Sequence, residues 1–216
     1  MRAPGRLAPA ALFILFAAAA SAQDEAASSA TEGKEEAAWE FNASLYGYFP
    51  PGERHYAQPT FIANHGPLHL EARYNYEDFK TGSAWVGWNF GAGEELRLDA
   101  TVMAGGLFGV TRGVAPGYEL TLSYGKFELY SEGEYVFDTQ DSANNFFYNW
   151  AQLGYSPLEW LSFGLASQRT RAYQTPLDVQ RGPFVGFAYK SWTLTVYVFN
   201  VGWETPTVVS SLSVSF

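Results

Sequence analysis

The stretch FELYSEGEYVF, residues 127–137, decides the fold class of this chain. Large apolar residues stand at positions 127, 129, 135 and 137, while glutamates stand at positions 128, 132 and 134. Successive side chains of a β-strand point to opposite faces, so a period of two predicts a strand with one apolar and one polar face. ELRLDATV, residues 95–102, repeats the pattern.

Segments with this period, separated by turn-forming residues, fill the chain from Trp39 onward. They predict twelve strands, near 40–49, 56–64, 68–77, 82–91, 95–106, 117–124, 126–137, 146–155, 159–171, 182–190, 192–203 and 206–216. Most reach the length of about 9–11 residues that a tilted strand needs to cross a bilayer. We therefore expect an all-β fold, a single antiparallel transmembrane β-barrel of about twelve strands over residues 39–216.

The connections between these strands alternate between short and long. The short ones are predicted at 65–67, 92–94, 125, 156–158 and 190–191, and the other set at 50–55, 78–81, 107–116, 138–145, 172–181 and 204–205. Outer-membrane barrels have short periplasmic turns and longer extracellular loops, and bacterial ones have an even number of strands. Segment 107–116 is open to two interpretations: it extends two strands, or it folds into the lumen.

Aromatic residues on the apolar face are predicted to form two belts, one at each end of the strands. The outer belt would contain Tyr74, Tyr76, Tyr118, Tyr135, Phe137 and Phe147. The inner belt would contain Trp88, Phe90, Tyr124, Tyr155, Tyr189, Trp192 and Phe216. Two such girdles mark the headgroup levels of a membrane barrel, whereas the core of a soluble β-domain would not separate aromatics to both strand ends.

The last nine residues, VVSSLSVSF at 208–216, alternate apolar and small polar residues and end in Phe216. This segment resembles the C-terminal strand of bacterial outer-membrane β-barrel proteins of the porin-like class, although Ser210 departs from the apolar pattern. The resemblance implies that the barrel assembly machinery recognises Phe216 as an assembly signal.

The first 38 residues contain two segments that precede the barrel. Residues 1–22 combine a basic start, an apolar run from Leu7 to Ala20 and an A-x-A site, which predicts a cleaved signal peptide. The apolar run is shorter than the roughly 20 residues that a membrane anchor needs. Residues 23–38 contain five acids, one Lys and no large apolar residue, so we expect a flexible acidic leader in the periplasm.

The composition restricts the function further. Aromatic residues make up 18% of the chain and charged residues only 16%, against about 25% charged in soluble domains. There is no Cys, which excludes disulfides and thiolate metal sites. The net charge of -9 argues against nucleic acid as a partner.

The polar face of the central strands is predicted to line the barrel lumen. Its candidate lumen residues are Glu71, Arg73, Arg97, Asp99, Glu119, Glu128, Glu132 and Glu134. We expect Glu71–Arg73 and Arg97–Asp99 to meet over the gap at Gly87. The glutamates at 128, 132 and 134 have no nearby Arg, which indicates either a wet interior or partners from a distant strand.

Two functions remain open for such a lumen. A water-filled, acidic passage would make the protein a small porin-like channel for polar or cationic solutes; a packed polar core would make it a closed barrel that acts through its extracellular loops. Twelve strands lie between the filled barrels of about 8 strands and the open porins of 16–18, so size does not decide.

No pattern indicates an enzyme. The histidines are His55, His65 and His69, and no Ser is predicted near any of them with an orienting acid, as a hydrolase requires. No metal-ligand spacing or phosphate-binding Gly loop is present, so we expect no catalytic, metal or cofactor site. The expected partners are outer-membrane lipid and lipopolysaccharide, the assembly machinery, and small polar solutes. Arg169 and Arg171, at the top of the ninth strand, have two interpretations: they contact lipopolysaccharide phosphates, or they are plain rim charges.

Overall fold

A computed structural model describes residues 37–172, 178–202 and 204–216 of the chain. The strands are β1 (Trp39–Phe49), β2 (Tyr56–His65), β3 (Leu68–Tyr74), β4 (Thr81–Ala92), β5 (Leu96–Gly109), β6 (Gly113–Tyr124), β7 (Phe127–Asp138), β8 (Phe146–Leu158), β9 (Leu161–Ala172), β10 (Asp178–Tyr189), β11 (Trp192–Phe199) and β12 (Thr207–Ser215). A short 3-10 helix, Ser142–Asn144, lies between β7 and β8. No helix in the described ranges has the length and apolarity needed to span a bilayer.

These twelve strands form one closed antiparallel barrel. Each strand pairs with its neighbours in sequence, and β1 pairs with β12 to close the sheet. Backbone hydrogen bonds of 3.0 Å between Phe41 and Phe216 hold this seam at the periplasmic end. The predicted fold class and strand number are confirmed. The predicted signal peptide, and the leader as far as residue 36, lie outside the described residues.

Several predicted boundaries are wrong, among them the start of β10, at Asp178 instead of 182, and the end of β11, at Phe199 instead of 203. Segment 107–116 mostly extends β5 and β6, which leaves only residues 110–112 as the loop, so the first of its two interpretations holds. β8 continues to Leu158 past an irregularity after Tyr155, so the turn predicted at 156–158 lies at 159–160. β3 ends at Tyr74, because Asn75 adopts a positive φ of 57° and interrupts the alternation.

The outward face carries the predicted aromatic belts with two exceptions. Exposed rings at the periplasmic strand ends include Trp88, Phe90, Tyr124, Tyr189, Trp192 and Phe216. Aliphatic residues such as Val102 and Leu165 are exposed between the ends, as expected of a surface that faces lipid. Tyr76 is one exception, since it lies in the lumen. Tyr118 is the other: it is exposed in the middle of β6, because β6 begins at Gly113 and not at residue 117.

The inward face is partly apolar, which the sequence pattern did not predict. One cluster of buried side chains consists of Tyr48, Trp150, Ala166, Phe184, Tyr197, Phe199 and Val209. A second consists of Trp85, Met103, Leu107, Ala115 and Val136. The first cluster borders a polar space inside the barrel, which Tyr48, Trp150 and Tyr197 help to line.

Candidate functional site: the barrel lumen

Charge is confined to one side of the lumen. The eight candidate residues all lie on the inward faces of β3, β5, β6 and β7. We call the inward faces of β3 to β7 the charged wall, and those of β8 to β12, β1 and β2 the neutral wall. Along the described part of the neutral wall, the only acidic or basic side chains are Glu40 and Asp178, next to strand ends.

Arg73 is the centre of the charged wall. Its guanidinium donates to Glu71 Oε2 at 2.7 Å and to Glu134 Oε2 at 3.0 Å, and all three side chains are at most 3% exposed. The Tyr76 and Trp85 rings lie 4.4 and 4.7 Å from the guanidinium carbon. Glu134 on β7 therefore has a partner from a distant strand, which was one of the two alternatives. That partner is Arg73 on β3, a strand that does not neighbour β7.

Arg97 pairs with Asp99, as expected, but this ion pair lies apart from that of Arg73. Arg97 binds Asp99 in a bidentate manner, with nitrogen–oxygen distances of 2.7 and 2.9 Å. The gap at Gly87 is filled by apolar atoms: a Cβ added there would lie 2.8 Å from the Met103 Cβ. The expectation that the two ion pairs meet over Gly87 is therefore wrong, because Met103 projects into that space.

The remaining three glutamates differ in their partners. Glu132 accepts hydrogen bonds from Tyr76 Oη at 2.5 Å and Tyr130 Oη at 2.7 Å. Glu119 and Glu128 are each buried with one carboxylate oxygen that has no hydrogen-bond partner among the described residues.

The connection between β3 and β4, residues 75–80, folds inward over the lumen. Tyr76 packs edge-on against Tyr148 at 5.4 Å. Glu77 accepts a hydrogen bond from Ser83 on β4, and burial raises the pKa of Glu77 above its usual range. This short connection therefore narrows the barrel, although the sequence pattern placed Tyr76 in the outer belt.

Two cavities occupy the polar space. An outer vestibule of about 790 Å³ lies among the extracellular connections. An inner chamber of about 130 Å³ extends to Asn42, Thr193 and Ser213, close to the periplasmic strand ends. The residues that line both cavities, and so separate them, are Tyr48, Gln58, Tyr76 and Tyr148.

The lining of these cavities is acidic. The chamber is lined by Glu71, Glu119 and Glu132, and the vestibule by Glu77, Asp78, Asp138 and Asp178. No Lys or Arg lines either cavity within the described ranges. Of the eight candidate residues, three line the chamber, and the other five line neither cavity: Arg73, Arg97, Asp99, Glu128 and Glu134.

One group in the charged wall was missed by sequence reasoning. His69 on β3 is fully buried beside Glu71, and Glu119 of β6 approaches both. These residues lie on strands that do not pair with each other, so no local spacing reveals them.

Solved structures of porins are similar in fold to this chain. A KdgM porin matches with a TM-score of 0.57 at 11% identity, over 81% of this chain and 99% of its own. A KdgM porin in complex with disordered oligogalacturonate matches with a TM-score of 0.58 at 9% identity, again over 81% of this chain and 99% of its own. The chain has the fold of an outer-membrane porin. No protein-family model and no curated protein sequence matches it.

Proposed function

We propose that this porin-like barrel is a narrow outer-membrane channel for small polar solutes, with a preference for cations. The observation that carries the proposal is the pair of adjoining cavities whose described lining contains seven acids and no Lys or Arg. Low-dielectric walls focus such a field on a narrow passage, and acidic side chains in this position attract cations and exclude anions.

Solute size is set by the tyrosines between vestibule and chamber. Tyr48, Tyr76 and Tyr148 project into the passage from two strands and from the 75–80 connection. Their rings provide apolar faces and their hydroxyls polar ones, which suits small hydrated or hydroxyl-rich solutes. The chamber, of about 130 Å³, is much smaller than the vestibule of about 790 Å³, so the chamber is the part of the passage that limits solute size.

Oligogalacturonate, present in one of the matched porin structures, is an unsuitable solute for this chain. Each galacturonate unit carries a carboxylate, and the acids of vestibule and chamber would repel such a polyanion at close range. We expect oligogalacturonate to leave currents through this channel unchanged.

The channel is tested in planar bilayers by removing one of the tyrosine side chains that lie between vestibule and chamber. Tyr76→Ala should raise single-channel conductance above that of the unaltered protein. Tyr74→Ala is the matched control, because Tyr74 stands two residues earlier but is 46% exposed on the outward face. We expect this control to leave conductance unchanged.

A closed lumen is the second candidate, favoured by the two apolar clusters buried in the interior. The barrel would then act through its extracellular connections. Unaltered protein and Tyr76→Ala that both insert, as judged by heat-modifiable migration on a gel, but never conduct would refute the channel and support this candidate.

Export to the outer membrane is part of the proposal. Residues 1–22 would direct export and be removed, and residues 23–38 would remain in the periplasm. We expect the protein in the outer-membrane fraction of a Gram-negative host, with its amino terminus at Gln23. Recovery as a soluble periplasmic protein would overturn both the location and the membrane assignment.

The assembly machinery is a proposed partner that recognises Phe216. The Phe216 ring stacks on Phe41 at 5.7 Å, and its backbone pairs with that residue. Deleting Phe216 should impair assembly more than Ser215→Ala. Equal insertion of both variants would show that Phe216 is not a signal.

Lipopolysaccharide is a proposed partner of Arg169. This residue is exposed and lies on the outward side of β9, in alternation with Phe163 and Leu165; the Arg171 side chain is outside the described residues. Arg169→Gln should reduce the lipopolysaccharide that remains with purified protein, and an unchanged amount would remove this contact.

A further inference from the structure

We propose that His69, Glu71 and Glu119 bind a divalent transition-metal ion such as Zn²⁺ on the charged wall. One ligand atom of each residue lies within 4.8 Å of the other two. The sequence pattern predicted no metal site, because only His69 and Glu71 lie on the same strand, two positions apart. The third comes from β6, three strands along the barrel.

Hydrogen bonds behind His69 fix its orientation as they do for metal-binding histidines. Thr101 Oγ1 donates to Asn89 Oδ1 at 2.7 Å, and Asn89 Nδ2 donates to Asn64 Oδ1 at 3.0 Å. Asn64 Oδ1 is therefore an acceptor, and His69 Nδ1, 3.0 Å away, is its second donor. A histidine that ligates a metal through one nitrogen usually donates from the other to such a partner, which fixes the tautomer.

This tautomer leaves the other ring nitrogen with a lone pair that has no hydrogen-bond partner. His69 Nε2 is buried and lies 3.6 Å from Glu71 Oε2, too far for a hydrogen bond. Glu119 Oε2 is also buried without a partner among the described residues. Glu71 is paired with Arg73. Within the described ranges, His69 Nε2 and Glu119 Oε2 are therefore the two atoms of this group that lack a partner. Two such buried electron-rich atoms beside a third carboxylate are unfavourable unless a cation lies between them.

A metal ion satisfies this arrangement better than a proton does. A proton on Nε2 would complete one contact with one carboxylate, whereas an ion completes all three. Arg73 donates to Glu71 Oε2 at 2.7 Å, and the same oxygen lies 3.6 Å from His69 Nε2. A carboxylate has about four lone-pair sites, so Glu71 can bind an ion while it accepts from Arg73. Glu71 and Glu119 also line the chamber, which provides an entry route and room for a water ligand.

The ligand set selects the class of metal. An imidazole nitrogen with two carboxylates suits Zn²⁺ and its first-row neighbours, and three protein ligands plus water is a common zinc arrangement. Ca²⁺ takes six to eight oxygen ligands, and Mg²⁺ prefers oxygen ligands in octahedral geometry. We therefore expect binding of Zn²⁺ and Co²⁺ in preference to Mg²⁺ and Ca²⁺.

Binding is measured on the folded barrel in detergent after treatment with a chelator. Isothermal titration with Zn²⁺ should give one ion per chain, and Co²⁺ should give a visible absorption band that Zn²⁺ displaces. His69→Gln and Glu119→Gln should each weaken Zn²⁺ binding at least about ten-fold, and Asn64→Ala, which frees the ring, by about 10- to 100-fold.

Glu128→Gln is the matched control. Glu128 is likewise a buried lumen glutamate with an unpartnered oxygen, but it does not belong to the cluster, so Zn²⁺ affinity should not change. Heat-modifiable migration shows that each variant is folded. If His69→Gln fails to fold, Glu119→Gln decides, because Glu119 Oε2 makes no hydrogen bond.

Three results would overturn the proposal. They are no stoichiometric Zn²⁺ binding by the unaltered barrel, equal weakening by Glu119→Gln and Glu128→Gln, and Zn²⁺ binding that folded His69→Gln retains in full. The assay does not depend on conductance, so its outcome is separate from that of the channel.

Discussion

The two walls of the lumen differ in charge: each carries a buried apolar cluster, but within the described residues only the charged wall adds buried ion pairs. On the charged wall, Arg73 joins Glu71 to Glu134 on a strand that is not its neighbour. On the neutral wall, Phe199 and Val209 are fully buried in an aromatic cluster around Trp150. The chamber lies between the walls and takes its lining from both.

This difference indicates how a small barrel stays folded without closing its passage completely. Apolar side chains on the neutral wall stabilise by packing, which requires no partner of a given charge. Buried acids on the charged wall require compensation, and several remain without it. The charged wall is therefore the part of the lumen that costs stability, which is expected of a functional surface.

The largest effect should come from removing the central cation of the charged wall. Arg73→Gln leaves Glu71 and Glu134 buried without their partner, so we expect a loss of about 3–5 kcal/mol in the free energy of unfolding. Arg97→Gln is the control: the Arg97 side chain is 25% exposed, whereas the Arg73 side chain is 2% exposed, so we expect a smaller loss in the free energy of unfolding than for Arg73→Gln. Chemical unfolding in lipid vesicles measures both, and equal losses would contradict the central role of Arg73.

A smaller effect should come from a cavity in the neutral wall. Val209→Ala removes two methyl groups from a fully buried position, so we expect a loss of about 2 kcal/mol in the free energy of unfolding. Val214→Ala is the control, since Val214 lies on the other side of the same strand. The same unfolding measurement applies, and a similar small loss for both would show that the neutral wall is not a packed core.

Removing an acid that has no compensating partner should not lower the free energy of unfolding. Glu128→Gln keeps the volume and removes a charge whose Oε2 has no partner in the described structure, so stability should stay level or rise by about 1 kcal/mol. Glu134→Gln should instead lower it by about 1.5–3 kcal/mol, because its hydrogen bond to Arg73 is charge-assisted. The reverse order would mean that Glu128 has compensation of its own.

The smallest effect should be a pH dependence of the 75–80 connection. Burial raises the pKa of Glu77 above its ordinary value of 4.5, although Arg73 opposes the shift. The protonated form is therefore favoured in the folded connection, and this stabilisation is complete below that value and is lost as the pH rises through the folded pKa. Thermal unfolding between about pH 4 and about pH 8 should show that loss in the unaltered protein but not in Glu77→Gln; parallel profiles would exclude it.

The barrel was predictable from sequence because its determinants are local. Alternation such as that of residues 127–137 gives strand direction and face together, and it places Glu128, Glu132 and Glu134 inward, as the structure has them. The same rule fails at Tyr76 because Asn75 leaves the strand geometry. One residue outside the pleat is enough to reverse the predicted face.

The functional arrangement was less predictable because it depends on contacts across the lumen. Arg73 and Glu134 stand 61 positions apart, and nothing in either strand fixes how far one is displaced relative to the other along the barrel axis. The displacement of β6 relative to β3 along the barrel axis likewise places Glu119 close to His69. Strand stagger is set by all twelve pairings together, so neither contact follows from a local pattern.

The cation preference of the channel is tested most directly by its reversal potential in planar bilayers under a salt gradient, with a chelator present to keep the lumen free of transition metals. We expect the unaltered protein to favour cations at low salt and to lose part of that preference at high salt, as screening shortens. The double variant Glu119→Gln, Glu132→Gln should lose most of the preference, because both residues line the chamber, and Glu128→Gln should retain it, because Glu128 does not. A channel that favours anions, or that keeps its full cation preference in the double variant, would contradict the assignment of the charged wall as the selective surface.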